Sequence, residues 1–247
     1  MPEAPLRLGE LRDRLDGVRS SVESCARRCG RDPREITLVG VSKTHPASLV
    51  AEARDAGLAD FGENRVQEAE GKIAELSGLE GPPPRWHLIG HLQANKARRA
   101  VKLFDVIHTV DSAALVARLE RLCAEEGRDE LHALVQLSLA GEETKAGAGI
   151  EELDEIVAAF KVCERVRLAG LMTVPPFFED AEAVRPFFRQ LRELRDSLRE
   201  RGAFDGGGDG ATGHLSMGMS HDFEAAVEEG ATMVRVGTAI FGERAGV

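Results

Sequence analysis

The sequence predicts an α/β protein built as a single (β/α)8 TIM-type barrel with an extra N-terminal helix. Eight short apolar runs alternate with helical segments between residues 36 and 236, the pattern of repeated βα units. The length of 247 residues suits one such barrel. No Gly-x-Gly-x-x-Gly follows the first strand, which lowers the competing reading of a doubly wound open sheet. No linker interrupts the alternation. One domain is therefore expected over 1–247, with a helix in 1–30 and the barrel in 35–245.

The elements follow in order. Leu8, Leu11, Leu15, Val18 and Val22 recur at helical spacing and predict an amphipathic helix over 6–29. Strands are expected at 36–42, 59–62, 86–90, 105–109, 132–138, 167–173, 212–216 and 232–236. Helices are expected near 46–56, 64–77, 94–102, 112–126, 151–161, 180–201 and 220–229. Pro46 fits a first helical turn, and Gly57 and Gly230 fit positions just past a helix C-terminus. Ser220 is the expected N-cap of the last helix, with Asp222 in its first turn. Gly206-Gly207-Gly208-Asp209-Gly210 precedes a strand and suits a loop better than a phosphate cradle. Phe-Gly-Glu recurs at 61–63 and 241–243, each time after a short strand, a faint echo of repeated units. Trp86 is expected to pack at a strand start.

Composition excludes several classes. The net charge is −10 with no basic stripe, which argues against nucleic acid and anionic membranes as partners. No run approaches the ~20 apolar residues of a membrane span, and the charged N-terminus lacks a secretory h-region. Cys25, Cys29, Cys123 and Cys163 show no framework spacing, so a reducing cytoplasm is expected. Cys25 and Cys29 share a helix face, but a zinc site wants two further ligands that the sequence does not assign. No metal is expected. No heptad seam or large apolar stripe calls for a dimer, and a monomer is expected.

The chemistry centres on Lys43. Ile36-Thr37-Leu38-Val39-Gly40-Val41-Ser42-Lys43 is an apolar strand ending in an amine. Desolvation at such a place lowers an ammonium pKa and favours attack on a carbonyl to give a Schiff base. A strand-end lysine alone is more often a snorkelling surface residue. Two further segments shift the balance. His214 to Ser220 ends strand 7, and Val234-Arg235-Val236-Gly237-Thr238 ends strand 8. Both supply hydroxyls and backbone N–H groups where barrels often bind phosphate. Lys43, Val41 and Val39 alternate onto one face of the first strand, and Arg235 and Met233 onto one face of the eighth. Strands 1 and 8 adjoin in a closed barrel, so Lys43 and Arg235 are expected to flank one small planar ligand. Further polar strand ends are Glu63-Asn64-Arg65, His91-Leu92-Gln93 and Met172-Thr173. His87 and His91 stand about 13 Å apart on an unbroken strand and share no metal. Lys145 is most simply a solvated loop lysine.

An aldehyde with a phosphate, held by a lysine amine and an arginine, describes pyridoxal 5′-phosphate (PLP). The segments LVGVSKTHPA (38–47), FGENRVQEAEGK (61–72), WHLIGHLQANKAR (86–98), HTVDS (108–112), LAGLMTVPP (168–176) and LSMGMSHDFEAAVEEGATMVRVGTAIFGER (215–244) resemble the pyridoxal-phosphate homeostasis protein family. These are stand-alone barrels related to the N-terminal domain of alanine racemase. The resemblance implies that Lys43 would form the internal aldimine and that Asn64 would lie near the ring substituents. Met172 would contact the cofactor from the barrel floor. Ser216, Gly237 and Thr238 would hold the phosphate, and Arg235 would face the pyridine nitrogen. His91 stays outside this site.

Three functions compete. The resemblance implies vitamin B6 homeostasis without robust catalysis, PLP being stored and released to PLP-requiring apo-enzymes. The second is a PLP-dependent amino-acid enzyme of racemase or transaminase type with Lys43 as its one base. A standard alanine racemase uses a tyrosine from a second domain as the opposite base, and this chain contains no tyrosine. The third is a PLP-free class I Schiff-base aldolase using Lys43 or Lys145.

Overall fold

Parallel strands covered on both faces are expected to be largely apolar, and most of the eight runs meet that demand, while Asp60-Phe61-Gly62-Glu63 and Arg85-Trp86-His87-Leu88 carry charged and imidazole groups. The computed structural model describes residues 8–140, 146–204 and 213–243. Strands β1 (Thr37–Val41), β2 (Asp60–Glu63), β3 (Arg85–Leu88), β4 (Val106–Val110), β5 (Leu131–Leu137), β6 (Val166–Thr173), β7 (His214–Ser216) and β8 (Met233–Val236) follow one another around the sheet. All are parallel, and β8 returns to β1 to close the barrel. The helices are α1 (Leu8–Arg28), α2 (Ala47–Asp55), α3 (Val66–Leu76), α4 (Ala97–Leu103), α5 (Ala113–Glu126), α6 (Leu153–Lys161), α7 (Arg185–Glu200), α8 (Phe223–Glu228) and α9 (Thr238–Phe241). Among the described residues no helix is long and apolar enough to cross a membrane.

The apolar interior divides in two. A large cluster fills the layer between strands and helices and includes Phe61, Trp86, Phe104, Ile107, Phe188 and Phe241. A separate cluster of Val106, Leu134, Ala169, Met172 and Met233 lies inside the barrel. Alternation explains the split, because Val106 and Ile107 are adjacent and point to opposite faces. Trp86 packs against Phe61 with ring centroids 5.9 Å apart, as expected at a strand start.

The eighth outer helix is unusual. α9 has four residues and cannot cover β8 and β1. α1 packs against α2, α8 and α9 and takes that place. Its buried residues Leu11, Leu15, Val18, Val22 and Cys25 form the stripe that does so. An N-terminal helix thus completes the outer ring.

Several details differ from expectation. The last long helix begins at Phe223 with Asp222 at its N-cap position, not Ser220. Asp222 Oδ1 accepts the Met219 N–H at 2.6 Å, which closes a turn and releases Ser220. The Phe-Gly-Glu echo is not structural, since one copy lies within β2 and the other begins at the last residue of α9. The 94–102, 151–161 and 180–201 helices each open with a 3-10 turn before α4, α6 and α7. Lys145, the 206–210 glycine run and the first residue of the expected 212–216 strand lie outside the described residues. Gly57 and Gly230 have φ of +85° and +102° after α2 and α8, the conformation that glycine adopts without strain.

Truncating α1 at its centre tests its place in the ring. Leu15 is fully buried, and Leu15→Ala is expected to cost about 2–5 kcal/mol in urea unfolding.

Candidate functional site

Lys43 lies two residues beyond β1, in a turn whose two sides are fixed from α3. Thr44 has φ of +68°, a conformation costly for a β-branched residue. Its N–H donates to Glu68 Oε1. On the other side Ser42 is fully buried, and its hydroxyl donates to Glu63 Oε1 at 2.6 Å. Lys72 joins the two halves. Its ammonium donates to Ser42 O at 2.7 Å, Glu63 Oε1 at 2.6 Å and Glu68 Oε1 at 2.8 Å. All three of its N–H groups are used. Burial pushes the Glu63 carboxyl above its ordinary range, against the pull of Lys72 and Ser42. Burial also raises Glu68, but hydrogen bonds from Lys72 and Thr44 outweigh it and leave that carboxyl below its usual value. Lys43 itself is half-buried.

A second polar array crosses the barrel interior. Arg235 of β8 stands in register with Val39 of β1 and lies two residues beyond Met233 of the interior cluster, so it shares the inward face. It is only 3% exposed. Its Nη1 donates to Ser216 Oγ at 2.6 Å and its Nη2 to Thr173 O at 2.9 Å. Both partners are uncharged, and no carboxylate among the described residues forms an ion pair with it. Burial lowers the guanidinium to about 10, while Asp222 pulls the other way. From Ser216 the array continues to His108 Nδ1 at 2.8 Å. His108 Nε2 meets His87 Nδ1 at 2.8 Å. His87 Nε2 meets Asp60 Oδ1 at 2.9 Å. Burial holds His108 well below the ordinary imidazole range, with His87 and Arg235 adding to the effect.

At the mouth above β7 and β8, Ser220 Oγ accepts from the N–H of Gly237 at 3.2 Å and of Ala239 at 3.4 Å. Gly237 packs on Val41, next to the Lys43 turn. Thr238 is exposed and opens α9. Gly218 shapes this loop. Its φ is +90°, a Cβ there would fall 2.5 Å from the Ala226 Cβ, and its carbonyl accepts the Arg235 N–H. Across the mouth Asn64 is half-buried. A Cβ on Gly90 would fall 2.3 Å from Asn64 O, so glycine lets the β2 and β3 ends approach.

Of the seven residues expected from the sequence, the structure sets Lys43, Asn64, Gly237 and Thr238 at the C-terminal mouth. Arg235 and Ser216 lie bonded to each other inside the barrel. Met172 belongs to the interior apolar cluster. The phosphate role expected of Ser216 meets a geometric difficulty, since its hydroxyl is fully buried between His108 and Arg235. Ser220, expected as a helix cap, is the serine beside Gly237.

Sequence reasoning missed Lys72, Glu68, Asp60, His87 and His108 as members of these arrays. The signal was the parity of the strands: Asp60, His87 and His108 sit at inward positions where apolar residues are the rule. His91 lies 3.5 Å from Asp111 Oδ2 at the surface, apart from His87. Glu228 joins Cys25 and Cys29 in a cluster whose ligand atoms lie within 4.8 Å of one another. Burial, with Glu228 adding to it, pushes the Cys25 thiol up to about 12, and Arg28 and Arg185 already pair with Glu228. That chemistry is a hydrogen-bonded helix contact, not a thiolate site.

A closed parallel barrel with a mouth lysine and an inward arginine on the adjoining strand defines a class. A family model described as "Alanine racemase, N-terminal domain" matches residues 14–245. The pyridoxal phosphate homeostasis protein of Escherichia coli K12 is 42% identical over 239 residues, covering 96% of this chain and 98% of that protein. The Aquifex aeolicus protein of the same name is 40% identical over 232 residues, 94% of this chain and 97% of that one. The structure of PipY from Synechococcus elongatus PCC7942 with PLP bound superposes with a TM-score of 0.80 at 39% identity, covering 94% of this chain and all of that one. The chain belongs to the pyridoxal phosphate homeostasis protein family, within the alanine racemase N-terminal-domain class.

Two measurements probe the arrays. Lys72→Met strands the buried Glu63 carboxylate and is expected to cost about 3–5 kcal/mol in urea unfolding, with much of the loss recovered in Glu63→Leu/Lys72→Met. His108 titrates lower in the folded chain than its ordinary 6.5. Below that pH the unfolded chain binds the extra proton, so stability present above it falls with pH, by up to ~1.4 kcal/mol per pH unit from this group. Denaturation at a series of pH values is expected to show a shallower fall in His108→Gln.

Proposed function

We propose that this protein binds pyridoxal 5′-phosphate as a Schiff base on Lys43 and serves vitamin B6 homeostasis as a reservoir. The observation that carries the reading is Arg235: a buried cation with uncharged partners, one strand from the segment that presents Lys43. Such a cation favours an electron-rich neighbour, and the lone pair of a pyridine nitrogen is one. The residues present therefore fit the cofactor. When bound, PLP supplies an aldehyde to the lysine and an electron-withdrawing ring.

Each residue then has a task. The turn clamped by Lys72, Glu63 and Glu68 holds the Lys43 amine at the mouth. Arg235 faces the ring nitrogen, and a cation there disfavours its protonation and makes the ring a weaker electron sink. Asn64 borders the ring substituents and Met172 lies beneath. Ser220 and Thr238 hold the phosphate through a hydroxyl and a backbone N–H, and Gly237, whose own N–H is held by Ser220, leaves room for it beside the Lys43 turn. Ser216 instead serves Arg235. A weak sink, with no tyrosine in the chain to act as an opposing base, supports storage and delivery to PLP-requiring apo-enzymes over dedicated amino-acid turnover. The same reading has the protein act as a cytoplasmic monomer.

Absorbance in the near-ultraviolet and visible, before and after borohydride, checks the proposal. Wild type is expected to show an imine band that reduction fixes on Lys43, and Lys43→Ala to lose it. A colourless protein that takes up no added PLP would overturn the reading and favour a PLP-free aldolase.

A further inference from the structure

Histidines and a carboxylate inside a barrel are costly to bury, and here they are joined end to end. We propose that Asp60, His87, His108 and Ser216 form a one-directional hydrogen-bond chain that positions Arg235 for the ligand and gives it a remote counter-ion. The inference deepens the PLP reading and rests on it for the ligand, though not for the chain itself.

The direction follows independently from both ends. Arginine has only donors, so Ser216 Oγ accepts from Nη1. The serine then has one hydrogen to give, and His108 Nδ1 lies 2.8 Å away to take it. His108 must accordingly carry its proton on Nε2, facing His87 Nδ1. At the far end the Asp60 carboxylate accepts, so His87 carries its proton on Nε2. That leaves His87 Nδ1 as an acceptor, which is what His108 requires. Two neutral rings with the same tautomer satisfy every contact. A Nδ1–H tautomer in either ring would set two donors or two lone pairs against each other.

The arrangement has a use. A carboxylate in direct contact with Arg235 would neutralise it and take the N–H groups that a ring nitrogen would receive. Asp60 lies instead at the start of β2, with its side chain 17% exposed, beyond three intervening side chains. Ser216 and Thr173 O occupy Nη1 and Nη2 and fix the guanidinium plane. Arg235 stays cationic and oriented, with N–H groups beyond the two that Ser216 and Thr173 O occupy. Asp60, His87 and His108 are positioning residues in this scheme, since none touches the ligand.

Nitrogen-15 NMR of histidine-labelled, ligand-free protein tests the chain directly. Both rings are expected to be neutral with the proton on Nε2. An imidazolium or a Nδ1–H tautomer at either ring in wild type would overturn the proposal, whether or not PLP binds. The second arm compares Asp60→Leu with Asp60→Asn, which keeps an acceptor for His87. Asp60→Leu is expected to weaken PLP about 10-fold and to shift the bound cofactor's absorption band in the direction that Arg235→Leu shifts it. Asp60→Asn is expected to restore most of both. Inhibition of PLP uptake by inorganic phosphate is expected to be the same in all three proteins, because Ser220 and Gly237 lie outside the chain. A folded Asp60→Leu protein with the wild-type band and affinity would sink the idea. If Asp60→Leu fails to fold, the wild-type tautomers and the band of Asp60→Asn decide it. Failure of wild type to bind PLP would overturn the functional reading and leave the tautomer result to stand alone.

Discussion

A guanidinium enclosed by eight strands must find its acceptors among those strands, and the interior of this barrel is arranged around that need. Burial lowers the Arg235 pKa, yet its value of about 10 leaves the group charged at neutral pH. The backbone of β6 supplies one acceptor and the last residue of β7 the other. The serine on β7 then needs an acceptor of its own. The demand passes through two histidines on β4 and β3 to a carboxylate on β2. Each step satisfies a group that would otherwise cost about 1–3 kcal/mol unpaired. The apolar cluster around Met172 shares that interior with the array.

The lysine turn obeys the same logic at the surface of the core. A threonine in the left-handed region costs roughly 1–3 kcal/mol, and something must hold it there. The hydrogen bond to Glu68 does so, and Lys72 ties Glu68 to Glu63 and to the Ser42 carbonyl. The charges of α3 are thus spent on the backbone to either side of Lys43. One strand carries the lysine and a neighbouring unit fixes its geometry. The interior array does the same for Arg235, so the Lys43 turn and the guanidinium are each fixed by side chains from neighbouring units.

Much of the fold could be read from the residues. Eight apolar runs gave eight strands because parallel strands buried on both faces leave that mark. The α1 stripe was visible in Leu11, Leu15, Val18 and Val22, but its task was not, since nothing local shows that α9 stops after four residues. Lys43 and Arg235 were legible as strand-end cations on adjoining strands. Ser216 and Ser220 lie in one hydroxyl-bearing segment, and only the tertiary structure shows that the first bonds Arg235 and His108 and the second bonds the Gly237 N–H. His87 and His108 looked isolated because they lie 21 residues apart in the chain.

The sequence by itself determined the barrel, the strand order that its βα alternation enforces, and the identity of the two cations. These follow from local periodicity and from the short right-handed connections open to parallel strands. Tertiary structure alone decided which polar groups meet. Barrel closure sets the register of β8 on β1, and that register puts Arg235 level with Val39. The same closure brings His108 to Ser216 across 108 residues of chain. Hydrogen bonds reach about 3 Å, so their partners are fixed by the closed sheet and not by neighbours in sequence.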